Sequence, residues 1–107
     1  MSKRFRIKYT SEALDDLRAI YSNIAFRLKE RGTAARQVER IQREIRGLRE
    51  MPERYASMNG EPWVSMGIRK IPVDNYLVLY LVDSTELLVI IVRVFYGGRD
   101  LEHIILN

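Results

Sequence analysis

The residues best suited to chemistry gather near the end of the chain. An apolar run from Leu87 to Tyr96 closes on Phe95-Tyr96-Gly97-Gly98-Arg99-Asp100. That ending brings an aromatic pair, two glycines, an arginine and an aspartate to one edge of whatever sheet the run joins. Upstream, Arg69 and Lys70 open another apolar segment directly after an irregular loop, and Arg93 lies within the last run. Cations carried on strands are well held, because a regular element fixes a side chain better than a loop does. Arginine offers a planar fork of donors that matches phosphate and carboxylate. Tyr96, His103 and Glu61 add groups able to carry a proton. The chemistry these residues suit is contact with a large anionic or acidic partner, and they do not by themselves name a reaction.

The elements that position these groups follow from periodicity. From Lys3 to Tyr9, Phe5, Ile7 and Tyr9 alternate with Arg4, Arg6 and Lys8, which predicts a strand with one buried face. Thr10 or Ser11 then caps a helix that has Glu12 in its first turn. Leu14, Leu17, Ile20, Tyr21, Ile24 and Leu28 recur along it at helical spacing. Gly32 reads as the residue that ends this helix and Thr33 as the cap of the next. The second helix sets Val38, Ile41, Ile45 and Leu48 on one face and Arg36, Arg40, Arg43 and Arg46 on another, until Met51-Pro52 stops it. A tight loop between the helices predicts an antiparallel helical hairpin.

Residues 53–67 form an ordered irregular loop with Tyr55, Met58, Trp63 and Met66 as apolar anchors, and long loops in small domains are often functional. Three strands follow, Arg69–Val73, Tyr76–Val82 and Leu87–Tyr96, with turns at Asp74-Asn75 and Asp83-Ser84-Thr85-Glu86. The unbroken apolar stretch Leu87–Val92 reads as a strand buried on both faces. Asp100 caps a short final helix carrying Leu101, Ile104 and Ile105. The fold class is α+β: an N-terminal strand, an antiparallel helical hairpin, then a three-stranded antiparallel meander completing one sheet, and a short C-terminal helix.

Composition narrows the function classes. The 107 residues fit one domain, residues 1–107, with no internal repeat. Lys plus Arg number 18 against 14 Asp plus Glu, a net charge of +4, which speeds encounter with nucleic acid or an acidic protein. With no cysteine and one histidine, disulfides, thiol catalysis and multi-histidine metal centres are excluded, so no metal and no cofactor are expected. The start lacks the apolar core of a signal peptide and no run reaches membrane-spanning length, so a cytoplasmic protein without membrane partners is expected.

Taken in order, several segments resemble one family. These are Tyr9-Thr10-Ser11-Glu12-Ala13-Leu14-Asp15-Asp16-Leu17, then Ala34-Ala35-Arg36 through Ile45 and Leu48. After them come Ile68-Arg69-Lys70-Ile71-Pro72-Val73-Asp74-Asn75-Tyr76 and Val92-Arg93-Val94-Phe95-Tyr96-Gly97-Gly98-Arg99-Asp100. The ordered set resembles the RelE/ParE superfamily of toxins from type II toxin–antitoxin pairs. The resemblance implies a compact, growth-arresting toxin that a cognate antitoxin holds inactive. It leaves two targets open: RelE-like members cut ribosome-bound mRNA without a metal, and ParE-like members poison DNA gyrase. A non-toxic module on the same fold, binding nucleic acid or protein, is the alternative from another class.

Metal-free RNA cleavage needs help in deprotonating the 2′-hydroxyl, stabilisation of charge on the phosphate and protonation of the leaving oxygen. Under that reading Arg69, Arg99 and Tyr96 are the catalytic candidates. Lys70, Arg93, Asp100 and His103 are the candidates for target contact under either reading. One departure from the nuclease pattern stands out. RelE-like nucleases commonly carry an arginine in the middle strand, where this chain has Leu77. The long helical hairpin and the Phe95–Asp100 ending resemble ParE-like members more closely. Bland roles compete throughout: Asp100 as a helix cap, Tyr96 as a packed strand aromatic, Asp15 and Asp16 as helix-start acids, and the arginine stripe as a solvated face.

Overall fold

The computed structural model describes residues 4–97. Its elements run β1 (Arg6–Tyr9), α1 (Ser11–Leu28), α2 (Arg31–Arg46), two single 3₁₀ turns, a short α3 (Trp63–Met66), β2 (Arg69–Val73), β3 (Tyr76–Asp83) and β4 (Leu88–Tyr96). The α+β layout expected from the sequence is the one observed. The C-terminal helix expected after Asp100 lies outside the described residues.

One four-stranded sheet has the order β1-β4-β3-β2. The three later strands form the antiparallel meander, and β1 joins it by pairing parallel to β4, Arg6 opposite Leu88 through Tyr9 opposite Ile91. The first strand is shorter than its alternation predicts because β4 begins only at Leu88 and offers Arg4 and Phe5 no partner. Those residues turn to the end of α2 instead, where the Phe5 amide donates to the Arg49 carbonyl at 2.8 Å.

Side chains alternate across the sheet, as strand geometry requires. Val78, Tyr80, Val89, Ile91 and Val94 face the helices and join Leu17, Ile20, Ile41, Ile45 and Leu48 in the larger core. Leu79 and Phe95 face the other way and meet Met58, Trp63 and Ile68 from the irregular loop, with Leu77, Leu81 and Val92 alongside. The two-faced burial expected of the last strand follows: helices cover one face and the loop part of the other. Tyr80 ties the layers together. Its buried hydroxyl donates to the Pro52 carbonyl at 2.6 Å, and burial pushes its pKa up to about 12.

Some local expectations are corrected. The first helix ends at Leu28, with Lys29 in the left-handed conformation at its C-cap, and Gly32 lies inside α2 rather than closing α1. Glu30, not Thr33, is the N-cap of α2; the Thr33 hydroxyl donates back to the Glu30 carboxylate at 2.9 Å. This is a capping box with its usual residue types exchanged, and it leaves only Lys29 and Glu30 to turn the chain. Thr10, by contrast, caps α1 as expected, accepting from the Ala13 amide at 3.0 Å. Leu14, Tyr21 and Leu28 are exposed flanks of α1, and Ala13 is the residue packed into the core. Met66 is exposed and anchors nothing, so Met58 and Trp63 hold the loop.

The arginine stripe of α2 is partly committed. The Arg40 guanidinium grips Asp74 with Nε and Nη2, each at 2.8 Å, and Gln37 adds a third bond at 3.0 Å. The β2–β3 turn is thereby tied to α2, with Asp74 itself at φ 55°. The bonds from Arg40 and Gln37 hold the Asp74 carboxyl below the ordinary aspartate value. The folded pKa therefore lies below the unfolded one, so this contribution to stability is complete above the unfolded value and is lost as pH falls through the folded value. Comparing thermal unfolding of the native chain with Asp74→Asn, which tolerates a left-handed backbone, gives the check. The native chain has the higher Tm at neutral pH, and the gap closes below the depressed pKa.

Candidate functional site

The second half of β4 is built unlike the first. A register shift sets Leu79 opposite Arg93 but Tyr80 opposite Ile91, leaving Val92 as a bulge. A bulge adds one residue to a strand and re-aims those that follow. Here it restores Val94 to the helix-facing core and puts Arg93 opposite Leu79. The parallel ladder with β1 ends at Ile91. Side chains from the start of α1 then take over the strand's outer edge. The Thr10 hydroxyl donates to the Val92 carbonyl at 2.8 Å, and Asp16 Oδ2 accepts the Val94 amide at 2.9 Å.

Arg93 completes that arrangement. Its Nε and Nη2 reach the two Asp16 oxygens at 2.8 and 2.9 Å, and its guanidinium lies 4.5 Å from the centre of the Phe95 ring. The Asp16 carboxylate holds the Arg93 pKa above its ordinary value. Arg93 is thus satisfied within the fold.

Arg69 is likewise turned inward. Its Nη1 donates to the carbonyls of Tyr55 at 2.7 Å and Glu53 at 3.1 Å, stitching the irregular loop to the first residue of β2. Lys70, opposite Leu79 on the loop-covered face, is half-buried. Its side chain makes no hydrogen bond or ion pair among the described residues. Glu61 is exposed and accepts the Ser65 amide at 3.3 Å. Tyr96 is half exposed at the end of β4, where its ring meets Tyr76 edge to face with centroids 5.8 Å apart. Arg99, Asp100 and His103 lie outside the described residues.

The sequence-predicted site residues therefore do not converge. Arg69 belongs to the β2–loop junction, Arg93 to the α1–β4 junction, Lys70 to the far face of the sheet and Tyr96 to the strand end. Asp16 is the residue that reading by spacing undervalued. Its signal in the sequence, an acid near a helix start, is shared with Asp15, and only the fold separates them. Asp15 pairs with Arg18 in solvent, whereas Asp16 reaches across to β4.

Beside Arg93 a groove of about 660 Å³ opens between the C-terminal half of α1 and the outer edge of β4. Ile24, Arg27, Leu28, Tyr76 and Tyr96 are among its lining residues. Among the described residues, no group of three His, Cys, Asp or Glu side chains gathers to hold a metal ion. No helix there is long and apolar enough to cross a membrane.

Comparison with known proteins decides the family. The family model described as the ParE toxin of the type II toxin–antitoxin system parDE matches residues 7–101. The chain belongs to the ParE toxin family. Solved structures agree in fold. The chromosomal ParDE TA system from P. aeruginosa is similar over 87% of this chain and 96% of that one, at 22% identity and a TM-score of 0.71. The toxin–antitoxin complex RelBE2 from Mycobacterium tuberculosis is similar over 91% and 95%, at 18% identity and 0.62. A free E. coli RelE variant is similar over 88% and 84%, also at 18% identity and 0.62. No curated protein sequence matches. This ParE-family chain is thus a toxin of a type II toxin–antitoxin system, with a cognate antitoxin as partner.

The geometry separates structural from free cations. Arg69→Ala frees two loop carbonyls from their charged donor, which should cost roughly 1.5–3 kcal/mol and lower the urea midpoint. It should also speed proteolysis within residues 53–67. Lys70→Ala should leave the urea midpoint within about 0.5 kcal/mol of the native value.

Proposed function

We propose that this toxin arrests growth by poisoning DNA gyrase rather than by cutting ribosome-bound mRNA. The observation that carries this reading is the commitment of Arg69 and Arg93. A metal-free ribonuclease must present cations to a phosphate on which charge develops. Here the two strand-borne arginines placed to do so are bonded to backbone carbonyls and to Asp16. Leu77 stands where RelE-like nucleases commonly carry a further arginine, and its side chain packs in the second core. Among the described residues a ribonuclease would be left with Lys70 and Tyr96, which lie apart. A gyrase poison needs a protein-binding surface, and Lys70 and half-exposed Tyr96 suit such contact. Its site of action is the cytoplasm, where its target and antitoxin are found.

Tight induction in cells, with pulse-labelling of DNA and protein synthesis, tests the proposal. DNA synthesis should fall first, cells should filament, and purified toxin in excess should block supercoiling by gyrase. Normal supercoiling together with an immediate stop in protein synthesis would establish the ribosomal target instead. Unaffected growth would support a non-toxic binding module.

A further inference from the structure

The outer edge of β4 carries an unfinished ladder. Gly97 donates its amide to the Asn75 carbonyl at 2.7 Å, and Phe95 and Arg93 lie opposite Leu77 and Leu79 on the same strand pair. Backbone groups of alternate residues point to opposite sides of a strand. The odd-numbered residues after the bulge therefore face β3, and Val94 and Tyr96 face outward. The Val94 amide confirms the direction, because it is the group Asp16 accepts. Asp16 and Thr10 thus close the edge as far as the Val94 amide. Beyond it the Val94 carbonyl and both backbone groups of Tyr96 face the groove, and none has a hydrogen-bond partner among the described residues.

The groove is made for an occupant of definite chemistry. Its walls are apolar where Ile24, Leu28 and Tyr96 line it, and Leu28 is 60% exposed. Arg27 stands on its rim without an ion pair among the described residues, and Asp16, its carboxylate, is already neutralised by Arg93. Extended backbone satisfies the outward groups by adding a strand, apolar side chains fill the wall, and a carboxylate answers Arg27.

We propose that an extended segment of the cognate antitoxin, carrying apolar residues and at least one acidic residue, adds to β4 beside Val94–Tyr96 and fills this groove. The inference rests on the toxin reading, since it needs an antitoxin. It goes beyond that reading by fixing the edge, the starting position and the charge of the segment.

Proline offers a discriminating test. The Tyr96 amide faces away from β3, so Tyr96→Pro removes no bond of the existing sheet, and proline is tolerated at such an outward edge position. Tyr96→Ala and Tyr96→Pro both remove the ring, but only proline removes the donor. Binding of full-length toxin variants to the cognate antitoxin should fall about tenfold further for Tyr96→Pro than for Tyr96→Ala. Arg27→Glu should weaken binding about tenfold, and Arg43→Glu, the same charge reversal on α2, should not. Amide exchange at Tyr96 should be fast in the free toxin and slowed at least about tenfold in the complex. Equal affinities for the alanine and proline variants would overturn the proposal, and so would a Tyr96 amide already protected in free toxin by the chain's own C-terminal residues. In those cases tight antitoxin binding would leave the toxin reading standing. Absence of any binding or neutralisation by the antitoxin would instead remove both.

Discussion

The Asp16 carboxylate is the contact on which the arrangement of helix and sheet depends. One side chain ends a strand edge by accepting the Val94 amide, neutralises Arg93 with two charge-assisted bonds, and fixes α1 against β4. Both partners are largely shielded, with side-chain exposures of 15% and 27%. A shielded pair is not in itself a gain in stability, since each charge must be desolvated. Its consequence is specificity. An unpaired carboxylate or guanidinium at that depth is costly, so the helix cannot slide along the strand without exposing one of them to an apolar neighbour. Thr10 belongs to the same device, because one hydroxyl accepts at the helix start and donates to the Val92 carbonyl.

The bulge at Val92 makes this junction possible. Without it, strict alternation from Val89 and Ile91 would carry Arg93 into the helix-facing core and turn Val94 away. The extra residue reverses the phase, so a charged and an apolar side chain each reach a suitable place. It also reverses which backbone groups point outward. The same local irregularity therefore sets the packing of the core and the hydrogen-bonding character of the sheet edge. Structure and recognition are linked here by one inserted residue rather than by separate devices.

Much of this fold is written plainly in the chain. Alternation gives the strands, helical spacing gives the hairpin, and Thr10 announces its helix because its side chain acts on neighbours three residues away. Signals that act over such distances are legible. Gly32 misleads because glycine is common where helices end, yet the Glu30–Thr33 exchange already supplies a cap and Lys29 adopts the left-handed conformation itself. The roles of Arg69, Arg93 and Asp16 are not legible, because each bonds to a residue 14 or more positions away. Spacing reveals that an arginine lies on a strand; only the tertiary fold reveals which acceptor it has found.

That distinction governs how the charge of this chain is to be read. A net charge of +4 describes the long-range field that a partner meets, and that field sums over every cation wherever its hydrogen bonds go. Chemistry at short range depends instead on donors left unused. Arg40, Arg69 and Arg93 add to the first while their forks are occupied by Asp74, two carbonyls and Asp16. Counting arginines therefore overstates the capacity of this sheet to bind a phosphate. It does not overstate the capacity to attract one, or to attract an acidic protein segment. A basic toxin whose strand arginines are largely occupied is better equipped to be found by an acidic partner than to grip a scissile phosphate. The apolar groove beside Arg27 and the outward backbone of Tyr96 lie where such attraction can become a specific contact.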